Sequence, residues 1–98
     1  MTVQGTGSAL TLAAATSATV FRGRSGRRIS YSIANVGANA AYVNMSNEQT
    51  ATAGEGIYLP VGAILTGSYN GRVPPWQGHI SAVSTAGTSL ALYEEVLL

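Results

Sequence analysis

Between Arg28 and Asn35 apolar and polar positions alternate along the chain. Ile29, Tyr31 and Ile33 fall on one side, and Ser30, Ser32 and Ala34 on the other. A period of two marks a β-strand with one buried face. The next residues, Asn35-Val36-Gly37-Ala38-Asn39, read as a turn, because Asn and Gly supply the positive-φ positions a hairpin needs. Ala41, Val43 and Met45 then alternate with Tyr42, Asn44 and Ser46. The pattern predicts a returning strand, so residues 28–46 are expected to form the most secure hairpin of the chain.

The remaining segments share this texture of short strand and turn. Leu10-Thr11-Leu12 makes a weak first strand, and residues 18–22 a second. Ala13 to Ala15 favour a helical turn, but Thr16, Thr19 and Val20 are β-branched and oppose it. Ile57 to Leu59 is a short strand stopped by Pro60, and residues 63–66 lead out of the following turn. A loop spans residues 67–77, with Asn70-Gly71 as a turn and Pro74-Pro75 excluding regular pairing. Residues 79–84 and 88–96 give the last strands; Leu90 and Leu92 share one face, Ala91 and Tyr93 the other. No segment sustains a 3.6-residue period. About eight short strands with frequent turns predict an all-β domain. The expected architecture is a single antiparallel β-sandwich, jelly-roll or Ig-like. Residues 1–8 (MTVQGTGS) lack apolar anchors and are expected as an extended N-terminal arm, leaving residues 9–98 as the sandwich.

Ninety-eight residues leave room for one core. No cysteine staples it, and with one histidine and no aspartate no metal staple is expected. Only 9% of the residues are charged, against roughly 25% in an average domain. Lysine is absent. So little charge promotes association, and the expectation is a surface largely covered by other chains. A net charge of +1 argues against general attraction to nucleic acid or an anionic membrane. The apolar segment at residues 9–21 lacks a basic stretch before it and is diluted by Thr and Ser, so it is not read as a signal peptide. Without cysteine or such a signal, cytoplasmic synthesis is expected.

Catalytic chemistry finds little support. His79 is the one side chain titrating near neutrality, but no nucleophile elbow accompanies it, and it is read as a strand-edge histidine bonded to backbone or water. Glu94 and Glu95 are adjacent, so a strand points them to opposite faces and they cannot act as paired carboxylates. All four glutamates are expected to be solvated or in interface ion pairs. No catalytic, cofactor-binding or metal-binding residue is assigned.

Partner binding finds more. Arg22, Arg24, Arg27 and Arg28 lie within seven residues. Three readings are open: a solvated turn, a hairpin tip gripping acidic groups of a neighbour, or a phosphate-binding face on which Tyr31 stacks bases. Low net charge and missing lysine weigh against the third. Leu97 and Leu98 end an apolar tail expected to dock on the domain's own sheet or on a neighbour. Tyr58, Tyr69 and Trp76 are candidates for an aromatic ligand patch, although Trp76 is expected rather to plug the core.

Three stretches, RRISYSIANVGANAAYVNMS, ATAGEGIYLPVGAILT and WQGHISAVSTAGTSLALYE, carry a resemblance. An Asn-x-Gly turn is followed by Gly56-Ile57-Tyr58-Leu59-Pro60-Val61-Gly62, then by a strand from Gly78 to Ser84 and a last strand reaching Glu95. In these features residues 27–95 resemble small β-sandwich proteins of tailed-bacteriophage virions, either capsid decoration (cement) proteins or modules of head and tail fibres. The resemblance implies a non-enzymatic structural protein without a cofactor, made in the host cytoplasm and placed on the capsid surface of the virion. It implies copies in symmetric arrays, commonly trimers, bound to the major capsid protein or another virion protein, with neither nucleic acid nor membrane as partner. The alternative it carries is a fibre- or tail-associated module that binds a carbohydrate or receptor.

Overall fold

A computed structural model describes residues 2–98. Eight strands form two four-stranded sheets. They are β1 (Val3–Leu12), β2 (Ala18–Phe21), β3 (Arg28–Asn35), β4 (Ala41–Met45), β5 (Ile57–Leu59), β6 (Ile64–Ser68), β7 (Ile80–Val83) and β8 (Thr88–Leu97). The first sheet has the order β1-β8-β3-β6 and the second β2-β7-β4-β5. Every pairing within them is antiparallel. The domain is all-β, as its alternating pattern predicts, and the two sheets face each other across one core.

That core is built from alternate positions of both sheets. Leu12, Ile33, Leu90 and Leu92 project from the first; Phe21, Val43, Leu59, Ile80 and Ala82 come from the second. Phe21 and Tyr31 meet across the layers with ring centroids 6.4 Å apart. The rings sit tilted, an arrangement aromatic pairs favour. Where β3 passes β6, the ring of Tyr31 lies directly against Gly67, and a β-carbon there would overlap it. Tyr31 is buried and has nowhere to retreat. Gly67→Ala is therefore expected to cost about 1–3 kcal/mol. The check is a lower urea midpoint with an unchanged slope.

Three expectations need correction. Residues 28–46 are not a hairpin. The edges of β3 are taken by β8 and β6, those of β4 by β7 and β5. Residues 36–40 therefore cross between the sheets. Asn35 and Gly37 have no positive φ, so the turn lacks the backbone of a tight hairpin. Asn35 instead buries its side chain at the crossing. Secondly, Ile29 leaves the inward row of β3. The register against β8 shifts between Arg28 and Ser30, and this irregularity places Arg28 on the core side.

The third concerns the N-terminus. Met1 lies outside the described residues, but residues 3–8 are the first half of β1 rather than an arm apart from the sandwich. The β1–β8 ladder runs unbroken from Val3 opposite Leu97 to Leu12 opposite Thr88. Residues 3–9 are exposed on both faces; an open cleft separates Thr6 and Ser8 from Thr19 and Val20 of the short β2, which does not pack against them. Backbone pairing, not side-chain burial, makes this segment a strand, so no apolar alternation marks it.

Candidate functional site

The arginine-rich segment folds inward at its most basic point. Arg28 is buried to 2% exposure at the start of β3. Its Nε donates to Glu94 Oε2 at 2.7 Å, Nη1 donates to the carbonyls of Trp76 and Gly78, and Nη2 donates to that of Arg22. The guanidinium also stands 5.5 Å from the centroid of Phe21. Gln77 clamps the backbone of the same residue: Arg28 N donates to its Oε1, and its Nε2 donates to Arg28 O, both at 2.7 Å. Arg28 thus ties the end of β2, the loop before β7 and strand β8 together.

Arg24 approaches the same carboxylate from the turn. Ser25 and Gly26 at positive φ reverse the chain there. Arg24 Nε donates to Glu94 Oε2 at 3.0 Å and Nη2 to Oε1 at 2.6 Å, a two-pronged contact. Burial pushes the Glu94 carboxyl up, but hydrogen bonds and charge from Arg24 and Arg28 outweigh it and hold the group below its ordinary value. Glu94 is therefore the anchor of an internal ion cluster, not a solvated or interface carboxylate. Arg24 and Arg28 are consumed inside the domain, whereas Arg22 and Arg27 remain exposed. Tyr31 is buried with its hydroxyl donating to Met45 Sδ, so it offers no ring to a base.

The three candidate aromatics are dispersed. Tyr58 packs against Tyr42 across β4 and β5, with centroids 5.4 Å apart. Tyr69 follows β6, where its N–H donates to Ile29 O. Trp76 does not plug the core. Its ring lies over Gly78, its Nε1 donates to His79 O, and Pro75 is the residue the loop buries. Tyr69, with Pro74, Ile29 and Leu97, lines an open groove of about 470 Å³. Leu97 closes β8, and Leu98 N donates to Thr2 O, so the tail is held on its own sheet although Leu98 is exposed. The His79 ring nitrogen Nε2 bonds the Thr19 hydroxyl at 3.1 Å.

A broader surface escapes the sequence reading. Residues directly opposite in adjacent strands share a face, so the register defines the outer side of the first sheet. One row runs Ala9, Ala91, Ala34, Ile64; the next runs Gly7, Tyr93, Ser32, Thr66; a third runs Gly5, Glu95, Ser30, Ser68. The hydroxyl end of the Tyr93 ring lies against Gly5, where a β-carbon would displace it. Ile64, Tyr93 and Val3 are exposed on this side. Its one charge within these rows, Glu95, accepts a hydrogen bond from Ser30 Oγ at 2.7 Å. The available signal was small residues at every second position of residues 5–9 and 30–34. Matched against family models, curated proteins and solved structures, the chain has no counterpart in any of the three comparisons.

Proposed function

We propose that this domain is a non-enzymatic structural protein of a phage virion, a capsid decoration or cement protein that lies on the outer shell and joins neighbouring subunits. The observation that carries this reading is the outer side of the β1-β8-β3-β6 sheet. It is built largely of small side chains, exposes Ile64 and Tyr93, and holds one carboxylate in its three central rows. A surface so poor in charge loses little solvation when another protein covers it. The strand orders support a jelly roll over an Ig-like sandwich. A chain that feeds strands 1, 8, 3 and 6 to one sheet and 2, 7, 4 and 5 to the other winds as two Greek keys do. Jelly rolls recur in viral capsids, an analogy at the level of fold.

A mixing experiment tests the proposal. The chain is sedimented with undecorated capsid shells of its own virus, alongside an Ala91→Arg variant. Ala91 is exposed at the centre of the face, so the variant keeps its fold. The expected result is that the natural chain co-sediments and raises the melting temperature of the shell, while the variant stays in solution. A natural chain that binds no shell overturns the capsid reading. Capture by tails or fibres instead moves the protein to the alternative role, in which the groove at Tyr69 and Pro74 is the binding feature.

A further inference from the structure

We propose that β1 is a self-association edge, through which two copies of the chain pair their β1 strands antiparallel about a twofold axis near Gly7. The two β1-β8-β3-β6 sheets then continue into one another as a single eight-stranded sheet. This goes beyond the virion reading and does not depend on it.

The parity of the ladder shows which backbone groups are free. Leu98 N donates to Thr2 O at 2.9 Å, so Thr2 and Leu98 form a hydrogen-bonded pair. Bonded and non-bonded pairs alternate in an antiparallel ladder. The even residues of β1 therefore spend their backbone groups on β8. Val3, Gly5, Gly7, Ala9 and Thr11 turn theirs to the open edge, where among the described residues no strand lies beyond β1.

The other sheet edges are blunted in the usual ways. β5 has three residues and is followed by Pro60; β2 has four and an irregular register; β6 has five. Short length, proline and bulges all discourage edge pairing. β1 has ten residues with no charge, no proline and no register shift. It is the one edge that carries none of these safeguards.

A second copy fits this edge better than an arbitrary strand. Antiparallel pairing of identical strands is self-complementary and closes after two. With Gly7 opposite Gly7 of the second copy, Gly5 faces Ala9, Val3 faces Thr11 and Thr6 faces Ser8. Small residues therefore meet on the outer side, and hydroxyls meet on the inner side. Five bonded pairs supply about ten backbone hydrogen bonds. The nearest carboxylates, Glu94 and Glu95 on each β8, stand three strand spacings apart, about 14 Å. That exceeds the screening length of about 8 Å at physiological salt. Self-pairing therefore brings no like charges together.

Gly7 also supplies the test. Its N–H points outward, and a β-carbon there meets only ordinary contacts at 3.8 Å and beyond. Gly7→Pro therefore removes an edge donor without breaking the β1–β8 ladder. Sedimentation equilibrium over a concentration series is expected to give twice the 10.0 kDa chain mass for the natural protein and the single mass for Gly7→Pro. Gly7→Lys and Gly7→Glu provide a second route. Each alone is expected to be single, and mixed together they are expected to pair. Amide exchange reads the same contact: the odd residues of β1 should be protected in the natural chain and fast in Gly7→Pro, with the even residues protected in both. A natural chain of single mass with fast odd amides overturns the inference, as does a trimer whose mass ignores all three substitutions. A pair that forms but binds no shell leaves the edge standing and removes only the capsid reading.

Discussion

Glu94→Ala is expected to lower the stability of the domain by about 3–5 kcal/mol, because it leaves the buried Arg28 guanidinium without its counter-charge. Breaking a buried ion pair costs more than the pair itself contributes, since the surviving charge remains desolvated. Arg24→Ala is expected to cost far less, as Arg24 is partly exposed and Glu94 keeps its bond to Arg28. Exchanging both charges for apolar groups, Arg28→Met with Glu94→Leu, is not expected to restore the domain. The Arg28 side chain also satisfies the carbonyls of Arg22, Trp76 and Gly78, and each orphaned buried carbonyl costs about 1–3 kcal/mol. Urea midpoints of the three variants check this ranking.

Acid acts on the same bond. The Glu94 carboxyl in the folded domain lies below its ordinary value of 4.5, so the unfolded chain binds a proton more readily. Its contribution is complete above about pH 4.5 and is lost as pH falls through the folded value. The natural domain should weaken across that window. Glu94→Gln should be weaker at neutral pH and lack this part of the acid dependence.

Asn35→Leu is expected to cost roughly 2–5 kcal/mol, from several partners orphaned at once. Asn35 is 1% exposed. Its Nδ2 donates to Asn39 O and Leu59 O, and its Oδ1 accepts from Gly37 N and Thr88 Oγ1. These bonds join the crossing to both sheets: Leu59 is in β5, and Thr88 begins β8. Leucine matches the volume but offers no polar atom, so the two most buried partners, Leu59 O and Thr88 Oγ1, lose their bonds inside the domain. Asn35→Asp separates shape from donors. It keeps the contacts of Oδ1 but sets a carboxylate oxygen against two carbonyls, and it should also be strongly destabilised at neutral pH. Thermal melts of both variants check the expectation.

The alternation of Ile33 with its neighbours and of Leu90 with Leu92 revealed the strands and their inward faces, because burial on one side of a pleated strand repeats every two residues. Short alternating runs, frequent turns and the lack of a sustained 3.6-residue period revealed an all-β chain. Partner choice was not legible. The same alternation suits a hairpin and a crossing between sheets, and Asn35 reads as a turn residue until its four bonds are seen. The arginine segment behaved similarly. Four cations in seven residues suggested an outward-facing turn, whether solvated or gripping a partner. Glu94, sixty-six residues beyond Arg28, draws two of them inward.

Local spacing in the chain therefore determined the strands that bury a side and which side that is, except for residues 3–8 and Ile29. The assembled sandwich decided which strands lie side by side, that Arg28 is a core residue, and that residues 3–9 form a bare edge. The reason is one of distance. Periodicity records how a residue meets solvent, a property of its immediate neighbours. Pairing, charge burial and edge exposure depend on segments far away in the chain, whose arrival no local pattern encodes.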